Sequence, residues 1–123
     1  MLRSIGAVAA GYVVFGASAA LLFQLSGQDP HAAAPVAFKI ATIVWGAVFA
    51  SVAGWLTARI AVRRPITHAA TLAGVIVLGA AASMAARPND ATWTQVAAIV
   101  VMAPCALLGG VRASRTSPVR PGG

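Results

Sequence analysis

The chain has 123 residues, of which 59% are hydrophobic and 9% charged, with a mean hydropathy of +0.85 and a net charge of +7. Soluble domains carry about 25% charged residues, and small ones need a large polar surface for their volume. The composition therefore excludes a conventional soluble globular protein and points to one domain whose apolar surface faces lipid.

The first apolar run covers about residues 4–25 and holds no charge; Ser26, Gly27, Gln28, Asp29 and Pro30 stop it. It is longer than the apolar region of a signal peptide, and Ala32, Ala33 and Ala34 lie well beyond it, so it is read as a retained anchor. The second run, about 36–62, follows Pro35, which is tolerated at a helix start, and carries only Lys39 near its beginning and Arg59 near its end. Arg63, Arg64 and Pro65 then make a tight turn. The third run, about 66–86, is mostly alanine, glycine and threonine around a short apolar centre, and depends on its neighbours to stay in the bilayer. Arg87, Pro88, Asn89 and Asp90 form another turn. The fourth run, about 92–111, contains Pro104, which frees a backbone carbonyl and predicts a kink. Residues 112–123, rich in proline, glycine, serine and arginine, read as a disordered basic tail.

Helices rise about 1.5 Å per residue, so about 20 residues cross a hydrocarbon core of about 30 Å. All four runs reach that length, and the second exceeds it, which predicts tilt. Their apolar residues are continuous rather than alternating, which favours helices over strands. The expected fold is all-α: an integral membrane four-helix bundle in residues 1–111, followed by the tail.

Charge sets the expected orientation. With the N-terminus inside, Arg3, Arg59, Arg63, Arg64, Arg112, Arg115 and Arg120 are cytoplasmic, and only Lys39 and Arg87 lie outside, together with both acids, Asp29 and Asp90. Basic residues are retained on the cytoplasmic side, so both termini are expected there, beside anionic lipid headgroups. The basic balance is thereby explained without nucleic acid, which would need a basic face with stacking aromatics in water. Arginine outnumbers lysine eight to one and alanine is abundant, as in GC-rich bacterial genomes, so a bacterial inner membrane is the expected location.

Candidate chemistry is sparse. His31 and His68 fall on opposite sides of the membrane and cannot share a metal. Asp29, His31 and Asp90 are a candidate outer-surface polar cluster, the one set that a lipid-directed enzyme would have to use, but they are read first as turn residues in a polar loop. Cys105 follows Pro104 with no base or second cysteine near it in sequence, and reads as a packing residue. Ser18, Thr42, Ser51, Thr57, Thr71 and Ser83 are expected to return hydrogen bonds to their own helices. No nucleophile–base pair is visible, so no enzyme activity and no cofactor are expected. Lys39, Arg59 and His68 stand at span ends, and no carboxylate sits at mid-depth, which argues against proton coupling. In length and span count the chain is similar to the small multidrug transporters and the small fluoride channels. The acidic residue that the former carry in their first span is missing from residues 4–25, and the glycine, asparagine and phenylalanine pattern of the latter is not found. Neither family is assigned.

Small residues carry the packing signal. Gly46, Ala50, Gly54 and Ala58 recur every four residues and predict a groove down the second helix, where backbones approach closely. Shorter pairs, such as Ala7 with Gly11, or Ala106 with Gly110, occur in the other runs. Residues 10–17 resemble 73–80, and 53–59 more faintly resemble 109–115, so two tandem helical hairpins are one arrangement the sequence suggests. Tyr12 is mid-span, and its hydroxyl calls for a partner on another helix.

The expected role is non-catalytic: a structural, accessory or self-associating membrane component, as a homo-oligomer or with another membrane protein. The alternative is a small oligomeric transporter or channel that is not coupled to protons. Reporter fusions test the threading. Fusions at Gly123 are expected to report cytoplasm and fusions in the loop holding Asp29 the outside; a C-terminal fusion active outside overturns the four-span count.

Overall fold

The computed structural model describes residues 2–29, 32–61, 63–87 and 90–116. They form helices α1 (Leu2–Ser26), α2 (Val36–Ala61) and α3 (Pro65–Ala86), and then a fourth crossing in three pieces. Those pieces are α4 (Trp93–Ala97), a π-helical turn (Ala98–Met102) and α5 (Ala103–Thr116). All four crossings are long and apolar enough to span a membrane, which makes the chain a multi-pass membrane protein with an all-helical bundle.

Local chemistry explains the ends. α1 stops at Gly27, whose φ of 71° is a left-handed conformation that costs glycine little and lets its N–H donate to the Phe23 carbonyl at 3.1 Å. Pro65 opens α3, where its missing N–H costs nothing, after Arg64 in a left-handed conformation at φ 49°. The expected kink at Pro104 takes the form of the π turn. Proline cannot donate to the carbonyl four residues back and its ring collides with it; the wider turn just before it, closed by Ala103 N–H to Ala98 O, relieves that conflict.

The fourth crossing also runs on past residue 111 to Thr116, so residues 112–116, read from composition as tail, are helical. Arginine and alanine favour helix, Ala113 is buried against the bundle, and Arg115 in the last turn complements the helix dipole. Residues 117–123, the rest of that tail, lie outside the described residues.

In cross-section the helices follow the order α1, α2, α5, α3. The α2–α5 seam is the most extensive and the α1–α3 edge the loosest. The interior is built from small side chains: Ala7, Ala50, Ala53, Ala69 and Ala106 have no exposed surface, and the largest fully buried side chains are Leu72 and Thr57. Large aliphatics such as Val13, Val44, Val48, Leu78 and Leu108 point outward. On α2, Gly46, Ala50, Gly54 and Ala58 are all buried, together with Thr42, Ala53, Thr57 and Ala61.

Glycines mark the closest approaches. A β-carbon on Gly54 would overlap the Ala106 carbonyl oxygen, and one on Gly109 would overlap the Ser51 carbonyl, so α2 and α5 meet backbone to backbone. Gly11 of α1 makes room for the Thr57 hydroxyl, and Gly110 of α5 for the Ala69 methyl. Thr57 does not return its hydrogen bond to α2: its hydroxyl donates across the seam to the Ala7 carbonyl at 3.1 Å. Ser18, Thr42, Ser51 and Thr71 do bond carbonyls of their own helices. The two segments that resemble each other have unlike surroundings, since Gly11 is buried whereas Gly74 is exposed with nothing within 4 Å of an added β-carbon.

Adding a side chain at two of the glycines is expected to act with opposite signs. Gly54→Leu is expected to destabilise by about 1–3 kcal/mol or more through overpacking against backbone. Gly74→Ala is expected to stabilise by about 0.4–1 kcal/mol, by restricting the unfolded chain without meeting a neighbour. Thermal melts in detergent compare both with the parent; an unchanged melt for Gly54→Leu would mean that this face looks at lipid.

Candidate functional site: a cavity beneath an aromatic cap

At the end of the bundle away from the termini, three aromatic rings from three helices close the top. Phe23 of α1, Phe38 of α2 and Trp93 of α4 have centroids 5.8–6.4 Å apart, tilted or edge-on. Such geometries match the ring quadrupoles. Trp93 also donates from Nε1 to the Ala32 carbonyl at 2.7 Å, which draws the α1–α2 connection over the start of α4. The Lys39 ammonium stands 5.9 Å from the Trp93 ring centre, a cation–π contact made by a residue one turn into its span.

The expected polar cluster is dispersed around this cap. Asp29 is exposed in the α1–α2 connection, where its carbonyl accepts the Ala32 N–H at 3.1 Å. Asp90 pairs with Arg87 at 3.4 Å, both well exposed. An exposed pair of this kind is worth about 0–1 kcal/mol. His31 lies outside the described residues. Among the described residues no group of three His, Cys, Asp or Glu could hold a metal ion.

Beneath the cap a cavity of about 180 Å³ reaches to mid-bundle, walled by all four crossings, among them Phe15, Trp45, Ile76 and Met102. Its floor exists because Gly46 has no side chain: Met102 of the π turn lies where a β-carbon would sit. Polar atoms are few, and the hydrogen bonds they make run both within and between helices. Ser18 donates to the Phe15 carbonyl at 2.6 Å and Thr42 to the Phe38 carbonyl at 2.8 Å. Trp45 reaches from α2 to the Ser18 carbonyl at 3.0 Å. Gln95, only 6% exposed, donates from Nε2 to the Ser83 hydroxyl at 3.3 Å, joining α4 to α3. Tyr12 borders the cavity with its hydroxyl against Gly79, where an added β-carbon would come within 3.2 Å.

The Ser18 and Thr42 hydroxyls point at carbonyls of their own helices, and the lining is largely apolar, so the space is suited to holding an apolar guest. An apolar space of about 150 Å³ admits a benzene-sized molecule. Gln95 and Trp93 were not singled out for these roles by the sequence. A lone side-chain amide inside an otherwise apolar run was the available signal for Gln95. Compared with known proteins, the chain matches no family model, no curated protein and no solved structure.

The cap can be dissected at Trp93. Trp93→Phe keeps an aromatic ring but loses the bond to Ala32, and is expected to cost about 1 kcal/mol of unfolding free energy. Trp93→Ala also removes the ring packing and is expected to cost about 3–5 kcal/mol. Chemical denaturation in detergent, followed by circular dichroism, measures both.

Proposed function

We propose that the chain is a multi-pass protein of a bacterial inner membrane with a non-catalytic structural or accessory role, both termini in the cytoplasm. The observation that supports this reading best is the close packing of three of the four seams in the half of the bundle nearer the termini. There, Gly11 receives Thr57, Gly54 receives the Ala106 backbone and Gly110 receives Ala69, so the α1–α2, α2–α5 and α3–α5 seams leave no room for a permeant. At the remaining α1–α3 edge, Tyr12 stands between the cavity and the groove that runs toward the termini, bordering both.

Orientation rests on charge: Arg3, Arg59, Arg63, Arg64, Arg112 and Arg115 gather at the end bearing the termini, as retention of basic residues on the cytoplasmic side requires. The α1–α2 and α3–α5 pairs are each antiparallel neighbours, which fits two hairpins, with the unlike packing of Gly11 and Gly74 making them non-equivalent. The α2 small-residue stripe is used within the chain, so a homo-oligomer or another membrane protein would meet its outward, aliphatic faces. In the alternative reading, a transport path would form between copies.

Reconstitution into liposomes with a panel of ions and small solutes tests the reading. Flux no greater than that of protein-free liposomes is expected; sustained, saturable flux of any solute overturns the accessory role in favour of a carrier or channel.

A further inference from the structure

The loose α1–α3 edge carries a groove of about 490 Å³ that opens to the outside, between Ile5, Val8 and Tyr12 on α1 and His68, Thr71 and Val75 on α3. Its walls are overwhelmingly apolar, and the Thr71 hydroxyl is already donated to the Thr67 carbonyl at 2.9 Å. From Ser4 to Tyr12 the α1 wall rises about 12 Å, close to the ~15 Å depth of one leaflet's hydrocarbon. The groove thus has the length of most of an acyl chain.

Its mouth is positive. His68, Thr71 and Val75 lie on one helical stripe, and Arg64, four residues before His68, stands at the start of that helix in a left-handed conformation. The His68 ring nitrogen Nδ1 lies 2.9 Å from the Arg64 carbonyl. Arg63 and Arg64 are both exposed, and Arg3 at the same end is held by donating from Nε to the Ile60 carbonyl at 2.8 Å. The only acidic side chains in the sequence, Asp29 and Asp90, are at the opposite end of the bundle, so no carboxylate side chain neutralises this mouth. Arg64 also holds a backbone conformation that glycine would adopt at lower cost.

We propose that this edge is a binding site for one anionic glycerophospholipid of the leaflet next to the termini. Arg63 and Arg64 hold the phosphate beside His68, and one acyl chain lies in the groove with its end against Tyr12. Guanidinium groups match phosphate oxygens in charge and in their forked donor geometry, whereas a zwitterionic headgroup offers no net charge to balance them. The inference rests on the membrane placement of the chain and is independent of the accessory role.

Native mass spectrometry of the full chain, released from nanodiscs of equal phosphatidylglycerol and phosphatidylcholine, reads the site. One retained phosphatidylglycerol per chain is expected, with phosphatidylcholine lost. The double variant Arg63→Gln/Arg64→Gln is expected to lower that retention about tenfold, the equivalent of one charge-assisted hydrogen bond. Ala9→Phe, at an exposed position in the groove wall, is expected to lower it comparably without altering charge. Equal retention of both lipids overturns the proposal, as does retention that survives the arginine changes. Loss in the arginine variant alone, with Ala9→Phe unaffected, also overturns it, because attraction to the headgroup would then need no groove. The readout is binding, so flux in the liposome assay leaves it untouched.

Discussion

Every other feature of the bundle depends on how closely α2 and α5 approach. Within lipid, apolar side chains gain nothing by leaving one hydrocarbon surroundings for another, so helices associate through packing and a few directed polar contacts. At Gly54 and Ala106, and again at Ser51 and Gly109, the two helices touch through their backbones. Once that seam is set, α1 can lay Gly11 over Thr57 and α3 can lay Ala69 into Gly110. The α1–α3 edge closes least, because neither helix presents the other with a comparable run of small residues.

The same constraint separates the two halves of the molecule. Toward the termini, glycine and alanine let the backbones converge, and the one hydroxyl at the centre of that half, Thr57, is spent on a neighbouring helix. Away from the termini, Phe15, Phe23, Phe38, Trp45 and Trp93 hold the helices apart, and a cavity remains beneath them. The π turn lies on the boundary. It accommodates Pro104 and sets Met102 over Gly46, so that a backbone defect in one crossing becomes the floor of a space shared by all four.

Much of this could be read from residue order. Four long apolar runs separated by turn residues define the crossings, because lipid demands continuous apolar length and internally bonded backbone. The period-four stripe on α2 named residues that prove buried. What could not be read depends on pairs distant in sequence. Thr57 looks able to bond its own helix, as Thr42 does, until Gly11 of another helix leaves a space beside the Ala7 carbonyl. Trp93 looks like an ordinary interface aromatic until its indole N–H meets the Ala32 carbonyl of the α1–α2 connection. The helical residues 112–116 were hidden by their polar composition, which resembles that of a tail, although Ala113 has a bundle to pack on. Pro104 announced a break, but not that an extra residue in a widened turn would absorb it.

An interior of alanine and glycine reverses the usual direction of mutational damage. In a soluble core, harm comes mostly from trimming large side chains, and the cost grows with the atoms removed. Here Ala50, Ala53 and Ala106 have almost nothing to lose, and their only smaller replacement is glycine. Nearly every other substitution adds volume where backbones already touch, so drift inside the bundle is confined to a choice among two or three residue types. On the outward faces, by contrast, valine, leucine and isoleucine can exchange freely, since fluid hydrocarbon fits itself to any of them. Among descendants of this sequence, the variable positions should therefore trace the lipid boundary, and the invariant ones the α2–α5 seam.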